Sequence, residues 1–429
     1  MAETAAALPP VRRLSGALYG VFVLIGIATS TWVTRTPALR DALGASTEQM
    51  GLVLFGFSVG SMLGILSANA VTARLQARRA ILAGTCLVLG GLALMAAGAA
   101  LSSLWCAFAG FLCFGLGIGW SDIAMNVECA ALERLYQRTL MTTLHGCFSL
   151  GTLIGAALGM LMAYLQAPLL LHWLGVAALA LAGVLPLVRH IHNHSAAPSS
   201  SAEAAPPAQG NVLGALRERR VLLIGLFILG MALAEGAAND WLPLLMVDGH
   251  GFAEAQGTVI YLLFTLGMVV GRFSGHRLLQ HFARVRLMQA SALAAALGLA
   301  LAIFAPVPWL GAASVLFWGL GAALGFPLAL SAAGEGDPAT SARRVGAVAS
   351  LGYVAFLVGP PMLGFLGEHW GLRLGMLPVL AMALIAAGLT ALLRTVPVRA
   401  AGAVQDDTRV DTQVDVHADV TKTAPQHAA

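Results

Sequence analysis

The segment GIGWSDIAMNVECAALER, residues 117–134, places Asp122, Asn126 and Glu128 in a stretch otherwise apolar enough for lipid. A carboxylate at bilayer depth costs roughly 2.5–3.5 kcal/mol on insertion scales, so two acids in one such helix need a reason. Asp122 and Asn126 are four residues apart and share one helix face. An acid that is neutral when dry and charged when wet can carry a proton, because desolvation penalises the charged form. The alternative is a structural carboxylate held by hydroxyl or backbone donors. Glu128 lies about 120° around the axis from Asp122. It suits a structural or gating ion pair with Arg134 or Arg138, and less well a ligand contact.

His145 falls at a depth similar to that of Asn126, on the following helix. A histidine beside an acid relays protons or donates to a substrate, unless a backbone carbonyl satisfies it. A second polar set lies in AEGAANDW, residues 234–241. Glu235 and Asn239 share a face there, with Glu235 about 22 Å into its span. Trp241 alongside, and Trp32 in the first span, offer flat rings on which a sugar can stack while amides bond its hydroxyls. Helix packing and interfacial tryptophan are the plainer reading. Arg35 and Asp240 occupy near-equivalent outer ends of their helices. They are expected to pair as a gate or, failing that, to sit as two solvated end charges.

These residues need elements to hold them, and composition says which. Of 429 residues, 58% are hydrophobic and 10% charged, with a mean hydropathy of +0.82. Soluble chains are about a quarter charged. The chain therefore reads as an all-α, multi-pass membrane protein. Apolar runs of spanning length fall at 14–34, 48–71, 80–100, 103–131, 139–163, 168–189, 220–247, 254–276, 285–305, 308–333, 345–366 and 371–394. The first is expected to be a retained helix rather than a cleaved signal.

With both termini placed in the cytoplasm, only Arg35, Arg40 and Arg373 of the 24 basic residues fall outside. That asymmetry obeys the positive-inside rule. It accounts for the net charge of +4 without a nucleic-acid partner. The five cysteines lie in apolar runs without ligand spacing and read as small core residues. His190, His192 and His194 alternate on a polar segment but form no convincing metal set.

The two halves repeat weakly. FGLG at 114–117 matches WGLG at 318–321, and Gly60 and Gly64 match Gly267 and Gly271, at an offset of about 205 residues. The organisation predicted is a six-helix bundle over 14–189, a cytoplasmic linker over 190–219, a second six-helix bundle over 220–395 and a disordered tail over 396–429.

Twelve helices in two parallel repeats resemble the major facilitator superfamily. SDIAMNVECAALER, LHGCFSLGTLIG, EGAANDWLPL and WVTRTPALRDALG are similar to its fucose-permease-like branch, closest in pattern to YbjJ-type bacterial inner-membrane proteins. The resemblance implies an alternating-access carrier in which Asp122 aligns with a proton-carrying acid. It also implies that the first, fourth, seventh and tenth helices face a central cavity. The family's signature between the second and third helices survives as Arg78 and Arg79, a gating pair, but without its acid. The acid of the fucose-type first helix is likewise missing from STWVTRTP.

The expected function is proton-coupled symport of a small hydroxylated solute across the bacterial inner membrane. The alternatives are proton-coupled export of amphipathic compounds and, more distantly, a non-transporting sensor. The expected partners are a small-molecule substrate, a proton and the lipid bilayer, with the protein acting as a monomer. No phosphate loop, nucleophile elbow or metal-ligand spacing is present, so neither an enzyme nor a cofactor is expected.

Overall fold

The structure, a computed structural model, describes residues 11–137, 140–191, 212–335 and 338–393. The first bundle comprises α1 (Val11–Val33), α3 (Thr47–Ala100), α4 (Leu104–Tyr136), α5 (Met141–Tyr164) and α6 (Leu169–Val188). A short amphipathic helix, α2 (Thr36–Leu43), lies between α1 and α3. After α7 (Val212–Ala215), the second bundle comprises α8 (Arg219–Leu244), α9 (Glu254–His281), α10 (Arg284–Phe304), α11 (Pro308–Ala333), α12 (Pro338–Gly375) and α13 (Leu377–Leu393). Most of the expected linker and the whole expected tail lie outside the described residues.

The helix α3 has 54 residues, about 80 Å at 1.5 Å per residue, against a hydrocarbon core of about 30 Å. It crosses twice. Gln76, at φ 67°, is the single non-helical residue between its two arms. Where a loop was expected between 71 and 80, the helices continue past the membrane until one left-handed residue turns the chain. The last two crossings follow the same logic: α12 breaks at Gly371, φ 77°, where the missing β-carbon makes that conformation accessible, and α13 completes the twelfth crossing.

The start of α3 is fixed by a reciprocal cap. Ser46 Oγ accepts from the Gln49 N–H at 3.2 Å, and Gln49 Oε1 accepts from the Ser46 N–H at 3.0 Å. Ser103 Oγ caps α4 by accepting from Cys106 N–H at 3.3 Å.

The sequence repeat has a packing counterpart. In the first bundle α3 meets α4 so closely that a β-carbon on Gly60 would overlap the Leu112 carbonyl, and one on Gly115 the Phe57 carbonyl. In the second bundle Gly267 lies against the Leu316 carbonyl and Gly319 against that of Phe264. Both crossings need glycine for backbone-to-backbone approach in a medium without a hydrophobic driving force.

The surface is that of a bilayer protein. Trp105, Tyr164, Trp309 and Trp370 are all largely exposed. They cluster at the helix ends opposite the arginine-rich end, as an interfacial aromatic belt does. All five cysteines are free. Cys129 is buried as expected, whereas Cys86 is exposed on the lipid-facing surface.

One hydrophobic core cluster joins Trp32, Val33 and Leu39 of the first half to Leu233, Trp241 and Leu363 of the second. A separate cluster, with Leu14, Ile81, Met125 and Val188, belongs to the first bundle alone and lies toward the basic end. One core is thus shared by the two bundles, and the other is built by the first bundle alone.

Candidate functional site

Polar contacts across the interface follow the same pattern. At the end opposite the basic one, Arg35 Nε donates to Glu254 Oε1 at 2.7 Å and Arg35 Nη2 to the Ala167 carbonyl at 3.0 Å. Arg40 pairs with Asp248. Thr258 Oγ1 donates to the Thr34 carbonyl at 3.0 Å. Glu368 accepts from Thr47 N–H at 2.8 Å, so a carboxylate of α12 caps the N-terminus of α3. All of these contacts except Arg35 to the Ala167 carbonyl cross between the bundles. At the basic end, Arg220 and Arg284 pair with Glu335, while Arg343 and Arg344 pair with Glu218, all within the second bundle. The Arg35 side chain is 4% exposed and that of Arg272 is 36% exposed. The molecule is therefore sealed at one end and accessible at the other.

Beneath the seal lies a cavity of about 290 Å³ between the bundles. Its walls come from α1, the first arm of α3, α5, α8, α9 and α12. Of the four cavity helices that the resemblance implied, the first (α1) and seventh (α8) contribute. No lining residue comes from α4 or α11, the fourth and tenth crossings. Trp32 lines the cavity, held edge-on against Phe111 with ring centroids 4.9 Å apart.

Glu235, Asn239 and Asp240 all face this cavity from α8. Arg272 of α9 meets them there. Its Nη2 donates to Glu235 Oε1 at 2.9 Å and its Nη1 to Ser149 Oγ of α5 at 3.2 Å. Tyr261 donates its hydroxyl proton to Asn239 Oδ1 at 3.1 Å, which leaves the amide N–H groups for another acceptor.

Asp122 and Asn126 lie on α4 outside the lining set. Asn126 is the hydrogen-bonding neighbour of Asp122, and the charges of Asp122 and His145 interact directly. Asp122 also lies within electrostatic reach of Tyr353, which lines the cavity from α12. His145 is exposed, stands edge-on to Phe22 at 5.7 Å, and feels Arg272 on its other side. A polar series thus runs Asp122, His145, Arg272, Glu235 from one bundle to the other.

Several expectations need correcting. The Arg35–Asp240 pair does not form: Arg35 is taken by Glu254, because α9 starts directly opposite the end of α1. Asp240 is 8% exposed and faces the cavity rather than solvent. Trp241 is fully buried and absent from the cavity wall; it turns into the core of the second bundle, so of the two expected tryptophans only Trp32 lines the cavity. Asn126 does not reach the cavity, and its Oδ1 is buried without a partner.

Glu128, at 1% exposure, lies on the inward face of α4 with Ala124, Met125 and Leu132. Arg78 and Arg79 are exposed directly after the Gln76 bend. Among the described residues no three His, Cys, Asp or Glu side chains gather as a metal site.

Arg272, Tyr261, Tyr353 and Glu254 were not anticipated. Arg272 had a signal: it lies inside an apolar span, where an arginine needs an acid, and Glu235 needed a cation.

Twelve crossings in two bundles around a cavity closed at one end define a transport protein. The chain belongs to the Major Facilitator Superfamily, whose profile matches residues 17–352. An uncharacterised transporter of this type from Yersinia pestis is 27% identical over 348 residues, covering 81% of this chain and 87% of its own. The solved nucleoside transporter NupG superposes with a TM-score of 0.70 at 14% identity, covering 90% of this chain and 99% of its own. A variant of the E. coli fucose:proton symporter FucP gives 0.60 at 17%, covering 88% and 98%. These structural likenesses show the fold.

Proposed function

We propose that the protein is a proton-coupled symporter of a small hydroxylated solute, working by alternating access in the bacterial inner membrane as a monomer with both termini cytoplasmic. The observation that carries this reading is the series Asp122, His145, Arg272, Glu235. His145 stands at the accessible mouth and passes protons to Asp122. Charge on that pair is felt by Arg272, which also holds the cavity acid Glu235 and the opposite bundle through Ser149. Protonation and solute occupancy therefore act on one guanidinium.

Glu235 and Asn239 bond the solute's hydroxyls, and Trp32 supplies the stacking face. Asn126 orients Asp122. Arg35 gates the outer side with Glu254, and Asp240 stands beneath that seal. Glu128, Arg78 and Arg79 belong to the inner gate. That NupG is a nucleoside transporter and FucP a fucose:proton symporter supports a hydroxylated solute.

A second reading, export of amphipathic compounds, is favoured by the apolar part of the wall: Phe57, Met62, Phe264, Met268 and Phe356.

The test is the external pH of weakly buffered, de-energised cells pulsed with sugars, polyols and amphipathic cations, with wild type beside Asp122→Asn. Alkalinisation on adding a hydroxylated solute, lost in the variant, is expected. Equal alkalinisation in both makes Asp122 structural. Acidification with the amphipathic cations alone supports the exporter.

A further inference from the structure

Asp240 is the one cavity acid that the proposed cycle leaves without work. It is 8% exposed, lines the cavity, and sits just beneath the outer seal. Among the described residues no cation and no hydrogen-bond donor reaches its carboxyl; Tyr261 is its polar neighbour by electrostatics alone. The guanidiniums of the seal and the cavity are committed elsewhere, Arg35 to Glu254 and the Ala167 carbonyl, Arg272 to Glu235 and Ser149. A buried carboxylate without a partner is costly, and a ligand that brings the missing charge removes that cost on binding.

The surroundings say what kind of cation fits. A divalent metal needs several oxygen ligands, and no such acidic cluster exists among the described residues. Trp32, Tyr261 and Phe264 are part of the wall of the same cavity. Aromatic faces beside a carboxylate suit an ammonium group, which gains from ring quadrupoles as well as from the charge. Asn239 stands one residue from Asp240, with its amide N–H groups free to meet a hydroxyl oxygen.

We propose that Asp240 is the counter-ion for a protonated amine, so that the solute of this cavity is a small hydroxylated compound bearing an ammonium group. This rests on the reading of the cavity as a solute site and narrows its substrate class. The ammonium docks at the closed end on Asp240 and the hydroxyls reach back toward Asn239 and Glu235. Outward opening then parts Arg35 from Glu254 directly above the amine.

The test uses the purified full-length protein in detergent and reads thermal unfolding. Methylammonium chloride is compared with potassium chloride at equal ionic strength, then glucosamine with glucose and N-acetylglucosamine. Wild type is expected to be stabilised by the two amines beyond the neutral or potassium controls. Asp240→Asn is expected to unfold no lower than wild type when empty, because a buried amide needs no counter-ion, yet to bind glucosamine roughly 10- to 100-fold more weakly. An undiminished empty-state stability separates lost binding from lost folding.

Equal stabilisation by glucose and glucosamine, or equal glucosamine affinity in Asp240→Asn, overturns the assignment while leaving solute transport standing. So does a wild type that responds to neither amine beyond its control. The transport reading itself answers to the Asp122→Asn pH experiment, which does not involve Asp240.

Discussion

Arg272 and Ser149 belong to different bundles, and the guanidinium of one donates to the hydroxyl of the other at 3.2 Å. The same guanidinium holds Glu235 at 2.9 Å, and its charge is felt by His145. One side chain thus touches the cavity, the Asp122–His145 pair by charge, and the approach of the two bundles.

Removing that cation should leave Glu235 as an uncompensated charge. Arg272→Gln is expected to lower stability by about 1–3 kcal/mol, less than for a fully buried pair because Arg272 is part-exposed. Adding Glu235→Gln should recover most of the loss. Thermal unfolding of the two single variants and the double variant measures this coupling. Additive losses would show that the pair does not interact.

The seal makes a prediction about accessibility. Arg35→Glu and Glu254→Arg singly should loosen the outer end, and the combined swap should close it again. A cysteine introduced at Thr29, which lines the cavity, in a background without the five native cysteines, should react several-fold faster with an impermeant maleimide in either single variant. It should return to the parental rate in the swap. Rescue with Asp240→Arg instead of Glu254→Arg would contradict the geometry.

The glycine contacts separate two kinds of substitution. Gly60→Ala puts a methyl group into the Leu112 carbonyl, and neither backbone can move far, so a loss of about 1–3 kcal/mol is expected. Gly90 has nothing within 4 Å of its notional β-carbon. Gly90→Ala should be neutral or stabilise by about 0.5–1 kcal/mol through helix propensity. Thermal unfolding of the two variants should give opposite signs.

His250 lies between α8 and α9, outside the spanning segments. Its Nε2 meets the Ala302 carbonyl at 2.8 Å, while Nδ1 is buried with no partner. Burial holds the imidazole below its ordinary range, and the charge of Arg373 adds to this against the Ala302 hydrogen bond. A histidine depressed in the fold contributes stability above its unfolded value of about 6.5 and loses it as pH falls from there toward the folded value. Stability should therefore decline from about pH 7 to pH 5, and His250→Gln should flatten part of that slope. An unchanged slope would remove His250 as a cause.

Much of the architecture could be read from the sequence because its signals are collective. Apolar run length gave the crossings, arginine asymmetry predicted the orientation, and the Gly60–Gly267 correspondence pointed to packing that the structure repeats in both bundles. What depends on rotation about a helix axis was harder to read. These helices are apolar all round, so no polar stripe says which way a side chain faces. Asp240 and Trp241 are adjacent, yet one lines the cavity and the other fills the core. Glu254 was unreadable for another reason: its partner is fixed by how the bundles meet, which local spacing does not encode. The α3 turn shrank to Gln76 because charged residues such as Arg74 and Arg78 remain helical beyond the membrane.

The central claim is that Asp122 carries the coupling proton, and the most direct measurement is uphill transport in proteoliposomes. The solute identified by the cell pH screen is followed with an inward proton gradient imposed, for wild type and Asp122→Asn. Wild type should accumulate it above equilibrium. The variant should still exchange internal for external solute, which needs no net proton movement, but should not accumulate it. Accumulation by Asp122→Asn equal to wild type would contradict the proton-carrying role.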